Sequence, residues 1–99
     1  MKAEIFARGP IACDIDATSK FEDYSGGIFE EEKILATSNH VISILGFGKT
    51  ADGEEYWVGR NSWGTYWGEQ GFFRIKMHKH NLGVERNCNW AVPIIPEGY

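Results

Sequence analysis

His40 and Asn61 are two side chains whose types and positions could do chemistry together. His40 opens a strand-like segment, residues 40–48, and Asn61 directly follows a second one, residues 56–60. An imidazole that acts as a general base needs one ring nitrogen free and the other held by an acceptor. The side-chain oxygen of Asn61 can be that acceptor. A neutral amide suits an imidazolium whose counter-charge is a thiolate, so the pair predicts a cysteine nucleophile.

The spacing between these two residues is that of a β-hairpin. Residues 40–48 and 56–60 have the composition of strands, and the Asp-Gly pair at 52–53 is a hairpin-loop signal. If the two strands pair antiparallel with the histidine opposite the asparagine, the turn centres on residues 50–51, close to that signal. We therefore expect both side chains at the open end of one hairpin, within reach of each other.

Two tryptophans follow Asn61, each directly before a glycine. Trp63 precedes Gly64 and Trp67 precedes Gly68. Trp63 is expected to cover the histidine–asparagine contact and exclude water from it, and Trp67 to form an apolar wall beside it. A lone histidine is more often structural, and tryptophans beside glycines more often fill a core. The hairpin spacing is what favours a site over that alternative.

The remaining segments predict an α+β domain with a short N-terminal helix. The helix covers residues 2–8, with Ala3, Phe6 and Ala7 as its apolar positions, and Gly9-Pro10 ends it. Strand 11–16 is expected to carry Asp14 and Asp16 on one side, opposite Cys13 and Ile15. The other predicted elements are a helical turn at 18–24, a strand at 72–77, and a mostly irregular tail at 78–99 with an edge strand at 90–92.

The composition excludes several classes of function. With 99 residues, 42% of them apolar, the chain is expected to form one domain with a modest core. A net charge of -4 with scattered Lys and Arg offers no surface for nucleic acid or anionic lipid. No apolar run reaches the roughly 18 residues of a membrane span, and no signal peptide is recognised at the start. We expect no nucleic acid, no membrane and no cofactor.

His78, His80 and Cys88 are a candidate zinc set, because a His-x-His pair near a thiol can bind this metal. Zinc normally takes four ligands, and Lys76 and Lys79 beside the histidines oppose a cation. We therefore expect no metal.

Cys13 and Cys88 are the two cysteines of the chain. They bracket most of the domain, which suits one long-range disulfide in an oxidising compartment. Two buried free thiols are the alternative.

Several motifs resemble the C-terminal half of papain-family cysteine peptidases. They are Gly9-Pro10-Ile11, Asn39-His40-Val41, and residues 55–64 with Asn61-Ser62-Trp63-Gly64. The resemblance implies an α+β fold, the antiparallel, β-barrel-like C-terminal domain of these enzymes, over residues 1–99. It also implies that the N-terminal domain with the nucleophilic cysteine is absent and is the missing partner. Peptides or proteins are the implied substrates.

The resemblance assigns roles to individual residues. His40 matches the catalytic base and acid, Asn61 the residue that orients it, Trp63 the shield over their contact, and Trp67 the wall on the leaving-group side. Asn39 stands where many relatives have Asp. Val41 and Asp14 match positions near the pocket for the second residue before the scissile bond. The family pattern also pairs Cys13 with Cys88, and neither cysteine resembles the nucleophile's motif.

Within the family, the chain looks closest to the cathepsin X (cathepsin Z) group, which implies carboxypeptidase action and a lysosomal or secreted location. The chain alone is expected to be inactive, because the nucleophile is missing. The alternative is a non-catalytic remnant of the fold that binds peptides or a partner through Trp63 and Trp67.

Overall fold

Alternating apolar and polar residues in the longer segments form one six-stranded sheet, accompanied by two short helices. The computed structural model describes residues 1–91 of the chain. Across the sheet, the order of the strands numbered along the chain is 2-5-4-3-1-6. The helices are α1 (Lys2–Arg8) and α2 (Ser19–Glu22), and the strands are β1 (Ile11–Ile15), β2 (Ile28–Phe29), β3 (His40–Lys49), β4 (Glu55–Arg60), β5 (Phe72–Lys76) and β6 (Cys88–Asn89).

The sheet is mixed and open. Its neighbouring strands pair antiparallel, except for β2 and β5, which run parallel. Strands β2 and β6 are the edges of the described sheet. The predicted α+β fold is thus confirmed, while the barrel-like description fits the open sheet loosely.

One face of the sheet carries the core, and Phe21 of α2 stands at its centre. Phe21 is fully buried and meets Phe73 of β5 edge-to-face, with ring centroids 5.2 Å apart. A four-residue helix has little stability of its own, so α2 depends on the packing of Phe21. The Thr18 hydroxyl also stabilises the helix, because it accepts a hydrogen bond from the Phe21 N–H. Alternate residues of β1, β3 and β5 also belong to the core: Ile11, Cys13, Ile15, Ile42, Ile44, Phe73 and Ile75.

Helix α1 has the predicted limits but not the predicted buried face. It ends where Gly9 takes a φ of 93°, a conformation that favours glycine. Ile5 packs into the core, whereas Phe6 is 88% exposed. The expectation of an apolar face built on Ala3, Phe6 and Ala7 is therefore wrong, because one residue of the helix, Ile5, makes its core contact.

The hairpin of β3 and β4 has a different register from the predicted one. The pairing shifts by one residue at Leu45, which is accommodated in a β-bulge. Continued beyond the bulge, the ladder puts Ile42 rather than His40 opposite Asn61. The predicted register is thus wrong by two residues, and a shift of two leaves every side chain on its original face.

Strand β6 comes two residues earlier than the predicted edge strand at 90–92. Its two residues pair with β1, with Cys88 opposite Cys13. Trp90 and Ala91 are outside any strand, and Val92 lies beyond the described residues. None of the helices in residues 1–91 is long and apolar enough to cross a membrane.

A disulfide joins Cys13 and Cys88, as predicted, with an S–S distance of 2.09 Å. It fastens the two-residue edge strand β6 to β1. It also removes the Cys88 thiolate from the candidate zinc set, and no group of three or more metal-ligating side chains occurs in the part of the chain that the structure describes.

Replacing both cysteines with serine should lower the free energy of unfolding. The disulfide closes a span of 75 residues, and a loop of this size corresponds to about 4 kcal/mol of lost chain entropy in the unfolded state. Urea unfolding followed by tryptophan fluorescence would measure the change, with the reduced wild-type protein as the matched control. Equal unfolding midpoints for oxidised and reduced wild type would contradict this role.

Glu69 should make stability depend on pH. Its carboxylate accepts hydrogen bonds from Arg74 at 3.0 and 2.7 Å, and this contact holds the pKa of Glu69 below its ordinary value of 4.5. The contribution is present above the ordinary value and is lost as the pH falls through the lower, folded-state pKa. Acid unfolding of Glu69→Gln should therefore show a shallower loss of stability below about pH 4.5 than wild type. Parallel curves for the two proteins would contradict the assignment.

Candidate active site

His40 and Asn61 meet at the open end of the β3–β4 hairpin. His40 is the first residue of β3 and lies opposite Ile15 of β1. Asn61 follows β4 directly, is 7% exposed, and its backbone N–H donates to the Gly71 carbonyl at 3.0 Å. The His40 Nε2 atom lies 2.8 Å from the Asn61 Oδ1 atom. The two side chains are therefore in direct hydrogen-bond contact.

The backbone of Ser62 fixes which way the Asn61 amide points. The Ser62 N–H donates to Asn61 Oδ1 at 2.7 Å, so this atom must be the oxygen of the amide. The His40 Nε2 atom must then carry a proton in order to donate to the same oxygen. In a neutral imidazole this leaves Nδ1 as the unprotonated nitrogen that can take a proton from another group.

The bulge at Leu45 keeps the two side chains on one face of the sheet. Beyond the bulge, His40 shares the face of the buried Ile42. The pairing of Ser43 with Arg60, continued by one residue, puts Asn61 opposite Ile42. Without the bulge, the ladder continued from the hairpin loop would place Ser43 opposite Asn61. His40 would then point to the other side of the sheet, because neighbouring residues of a strand alternate between its faces.

The indole of Trp63 lies over the His40 ring. The two rings are stacked, with centroids 4.9 Å apart and planes 23° from parallel. Trp63 remains 38% exposed, so it forms the boundary between the histidine and solvent on this side. The indole thus covers one face of the imidazole that is hydrogen-bonded to Asn61.

Trp67 packs beneath Trp63 instead of lying free at the surface. Its ring meets Trp63 edge-to-face at 5.3 Å and lies 5.0 Å from the Phe21 ring. Its indole N–H donates to the Glu22 carbonyl at 3.1 Å. Trp67 therefore connects the site to the core, a contact that sequence spacing does not reveal because Phe21 is distant along the chain.

The opposite face of the sheet carries Val41 and Asp14, which lie directly across from each other on β3 and β1. Val41 is 57% exposed and lines a shallow depression of about 460 Å³ together with Ala12, Ser43 and residues 60–62. The Asp14 carboxylate accepts a hydrogen bond from the Asn87 side chain at 2.8 Å. An apolar side chain and a carboxylate thus lie on the face opposite the one that carries His40.

Asn39 is held by two hydrogen bonds of its side chain. Its Oδ1 atom accepts from the Ala17 N–H at 2.8 Å, and its Nδ2 group donates to Asp16 at 3.1 Å. The expectation that Asp16 shares a side of the strand with Asp14 is wrong, because β1 ends at Ile15 and Asp16 turns into the molecule. An aspartate at a strand end next to a polar loop could have indicated this buried contact.

The chain supplies no thiol to the histidine. It contains two cysteines, and both are in the disulfide. The described site thus consists of an imidazole, the amide that is hydrogen-bonded to it and an indole stacked on the imidazole, without a free thiol.

Comparison with known proteins identifies the family. Residues 1–92 match the family described as papain family cysteine protease. Cathepsin Z of Onchocerca volvulus is 50% identical over 95% of this chain, which covers 33% of that protein. Cathepsin S of Mus musculus is 33% identical over 91% of this chain, which covers 27% of its length. The chain therefore spans about a third or less of these relatives.

Solved structures agree with this family. The digestive procathepsin L 3 of Tenebrio molitor superposes with a TM-score of 0.77 at 34% identity, covering 86% of this chain and 28% of that one. The bromelain protease of Ananas comosus gives a TM-score of 0.73 at 31% identity, covering 85% of this chain and 40% of that one. By sequence and by fold, the chain belongs to the papain family of cysteine proteases.

Proposed function

We propose that this chain supplies the general base and its orienting amide to a cysteine-type peptidase. His40 is the base and acid, and Asn61 is the residue that orients it. The observation that carries the proposal is the 2.8 Å contact between His40 Nε2 and an amide oxygen whose direction the Ser62 N–H fixes. The thiolate comes from a protein segment outside this chain, the N-terminal domain of the complete peptidase.

The reaction follows from the position of the His40 Nδ1 atom. A cysteine thiol gives its proton to Nδ1, and the thiolate attacks the carbonyl carbon of the scissile peptide bond, forming a C–S bond. The imidazolium then returns the proton to the leaving amine as the C–N bond breaks. Water, deprotonated by the same nitrogen, hydrolyses the thioester. Asn61 keeps the ring in the orientation that both transfers need.

Peptides and proteins are the proposed substrates. Val41, Asn39 and Asp14 lie near the part of the site that receives residues before the scissile bond. Trp67 supports the leaving-group side through Trp63.

Carboxypeptidase action of the cathepsin X type is the finer proposal, supported by 50% identity to a cathepsin Z. A lysosomal or secreted location is also proposed. The disulfide supports it, because such bonds persist in oxidising compartments.

A non-catalytic remnant that binds peptides or a partner is the second candidate. The chain's lack of a free thiol favours it, as does the exposure of Val41 (57%) and Trp63 (38%) on either side of the histidine. This candidate predicts that the chain alone binds peptides. Ultracentrifugation and peptide titration that show a folded monomer without binding would refute it.

Complementation distinguishes these functions. The chain is produced alone, and also together with the part of the Onchocerca volvulus relative that it does not cover. A fluorogenic peptide should be hydrolysed by the combination and by neither part alone. Absence of hydrolysis by a combination that forms a stable complex would refute the peptidase proposal.

In that complex, His40→Ala should lower turnover by at least about 10²–10⁴-fold, because this is what proton transfer by a positioned side chain contributes to the rate. Asn61→Ala should lower kcat by about tenfold, the equivalent of one orienting hydrogen bond. Steady-state kinetics with His80→Ala as the matched histidine control would test both changes. Unchanged turnover in His40→Ala would contradict the role of the base.

Trp63→Ala should lower kcat by roughly tenfold or less, since it opens the His40–Asn61 hydrogen bond to water without removing either partner. Tyr66→Ala is the control, because Tyr66 lies in the same loop and is fully exposed. Its kcat should stay at the wild-type value. Equal effects of the two substitutions would show that Trp63 acts through the loop and not as a cover.

A further inference from the structure

Asp16 is a nearly buried carboxylate that the proposed reaction does not use. It lies just beyond β1, is 7% exposed, and its backbone N–H donates to the Leu82 carbonyl at 3.0 Å. Three donors converge on its side chain. The Thr37 N–H and the Lys33 ammonium group lie 3.1 and 3.0 Å from Oδ2, and the Asn39 amide lies 3.1 Å from Oδ1.

All three donors belong to the loop of residues 33–39, which leads directly into His40. The loop's last residue, Asn39, is held on both sides of its amide, since its Oδ1 atom accepts from the Ala17 N–H at 2.8 Å. Its backbone N–H also donates to the Ile15 carbonyl at 3.1 Å. A single carboxylate thus connects the beginning, the middle and the end of the loop to the end of β1.

The carboxylate is held in its charged form. The Thr37 backbone N–H, followed by Lys33, keeps the pKa of Asp16 below its ordinary value of 3.8. A charged acceptor makes hydrogen bonds about twice as strong as a neutral one. The loop before His40 is therefore attached through charge-assisted bonds.

We propose that Asp16 is a positioning residue for His40, and that it requires a neutral amide at position 39. The inference rests on the proposed role of His40 as the base. A carboxylate at position 39 would bring two acceptor oxygens to the 3.1 Å separation that now joins Asn39 Nδ2 and Asp16 Oδ1. Two ionised carboxylates repel each other at this distance, so at neutral pH this contact should open and the loop before His40 should lose its attachment to Asp16.

Three variants of the full chain test this pairing: Asp16→Asn, Asn39→Asp and the exchange of the two residues. Asp16→Asn can bring two amide N–H groups, those of residues 16 and 39, against each other. Asn39→Asp brings two carboxylate oxygens against each other. The exchanged variant keeps the total charge and can form the side-chain hydrogen bond in reverse, with the amide at position 16 donating to the carboxylate at position 39. The proposal therefore predicts that each single substitution disturbs the position of His40 and that the double exchange restores it.

The readout is the Nε2-bound proton of His40, observed by NMR in the ¹⁵N-labelled protein and assigned by its loss in His40→Ala. Each single substitution should speed the exchange of this proton with water by roughly tenfold or more, the equivalent of one charge-assisted hydrogen bond. The exchanged variant should return to near the wild-type rate. Because Asn39→Asp and the exchanged variant carry the same new charge beside His40, recovery cannot arise from that charge.

Glu4→Gln is the matched control. Glu4 is a carboxylate of similar burial, 8% exposed, and it pairs with Arg8. It lies on α1, whose Lys2 contacts Glu55 at the loop end of the hairpin, away from His40. Its loss should lower stability and leave the His40 proton unchanged.

Unchanged exchange in Asn39→Asp would overturn the proposal, and so would an exchanged variant that is no better than the single changes. These results do not depend on peptide hydrolysis. A complex that fails to cleave peptides while the exchange pattern holds would refute the proposed function and leave the positioning of His40 by Asp16 intact.

Discussion

The hydrogen bond between His40 Nε2 and Asn61 Oδ1 depends on several features at this end of the sheet. Its direction comes from the backbone, since the Ser62 N–H also donates to the Asn61 oxygen. Its formation depends on strand geometry, because the bulge at Leu45 brings both residues to one face. A side-chain contact of this kind thus depends on main-chain features on both strands of the hairpin.

The aromatic residues carry this contact inward to the core. Trp63 stacks on the His40 ring, Trp67 meets Trp63 edge-to-face, and both indoles contact the buried Phe21. Each aromatic pair in such an orientation adds about 0.5–1.5 kcal/mol of stabilisation beyond that from burying its apolar surface. The position of the histidine is consequently linked to the packing of α2, a helix too short to be stable by itself.

Local sequence signals are sufficient for the types of the longer elements and for the contact between His40 and Asn61. They are insufficient where distant contacts decide, as for the two-residue strands β2 and β6. The limits of α1 and the first residue of β3 follow from turn and strand signals, whereas the hairpin register does not, because an extra residue in a bulge leaves no clear mark in the sequence. His40 and Asn61 still share a face, because the error in register is an even number of residues. The expectation that Asp16 shares a side of the strand with Asp14 extends the strand one residue past Ile15, where β1 ends. The predicted edge strand at 90–92 is misplaced because pairing with Cys13 selects Cys88–Asn89 instead.

The closed Cys13–Cys88 bond determines how this chain responds to thiol-directed chemical probes. Electrophiles that alkylate cysteine thiols find none on this chain while the bond is intact. A mass increase on this chain after such treatment would therefore show that the disulfide had been reduced before labelling.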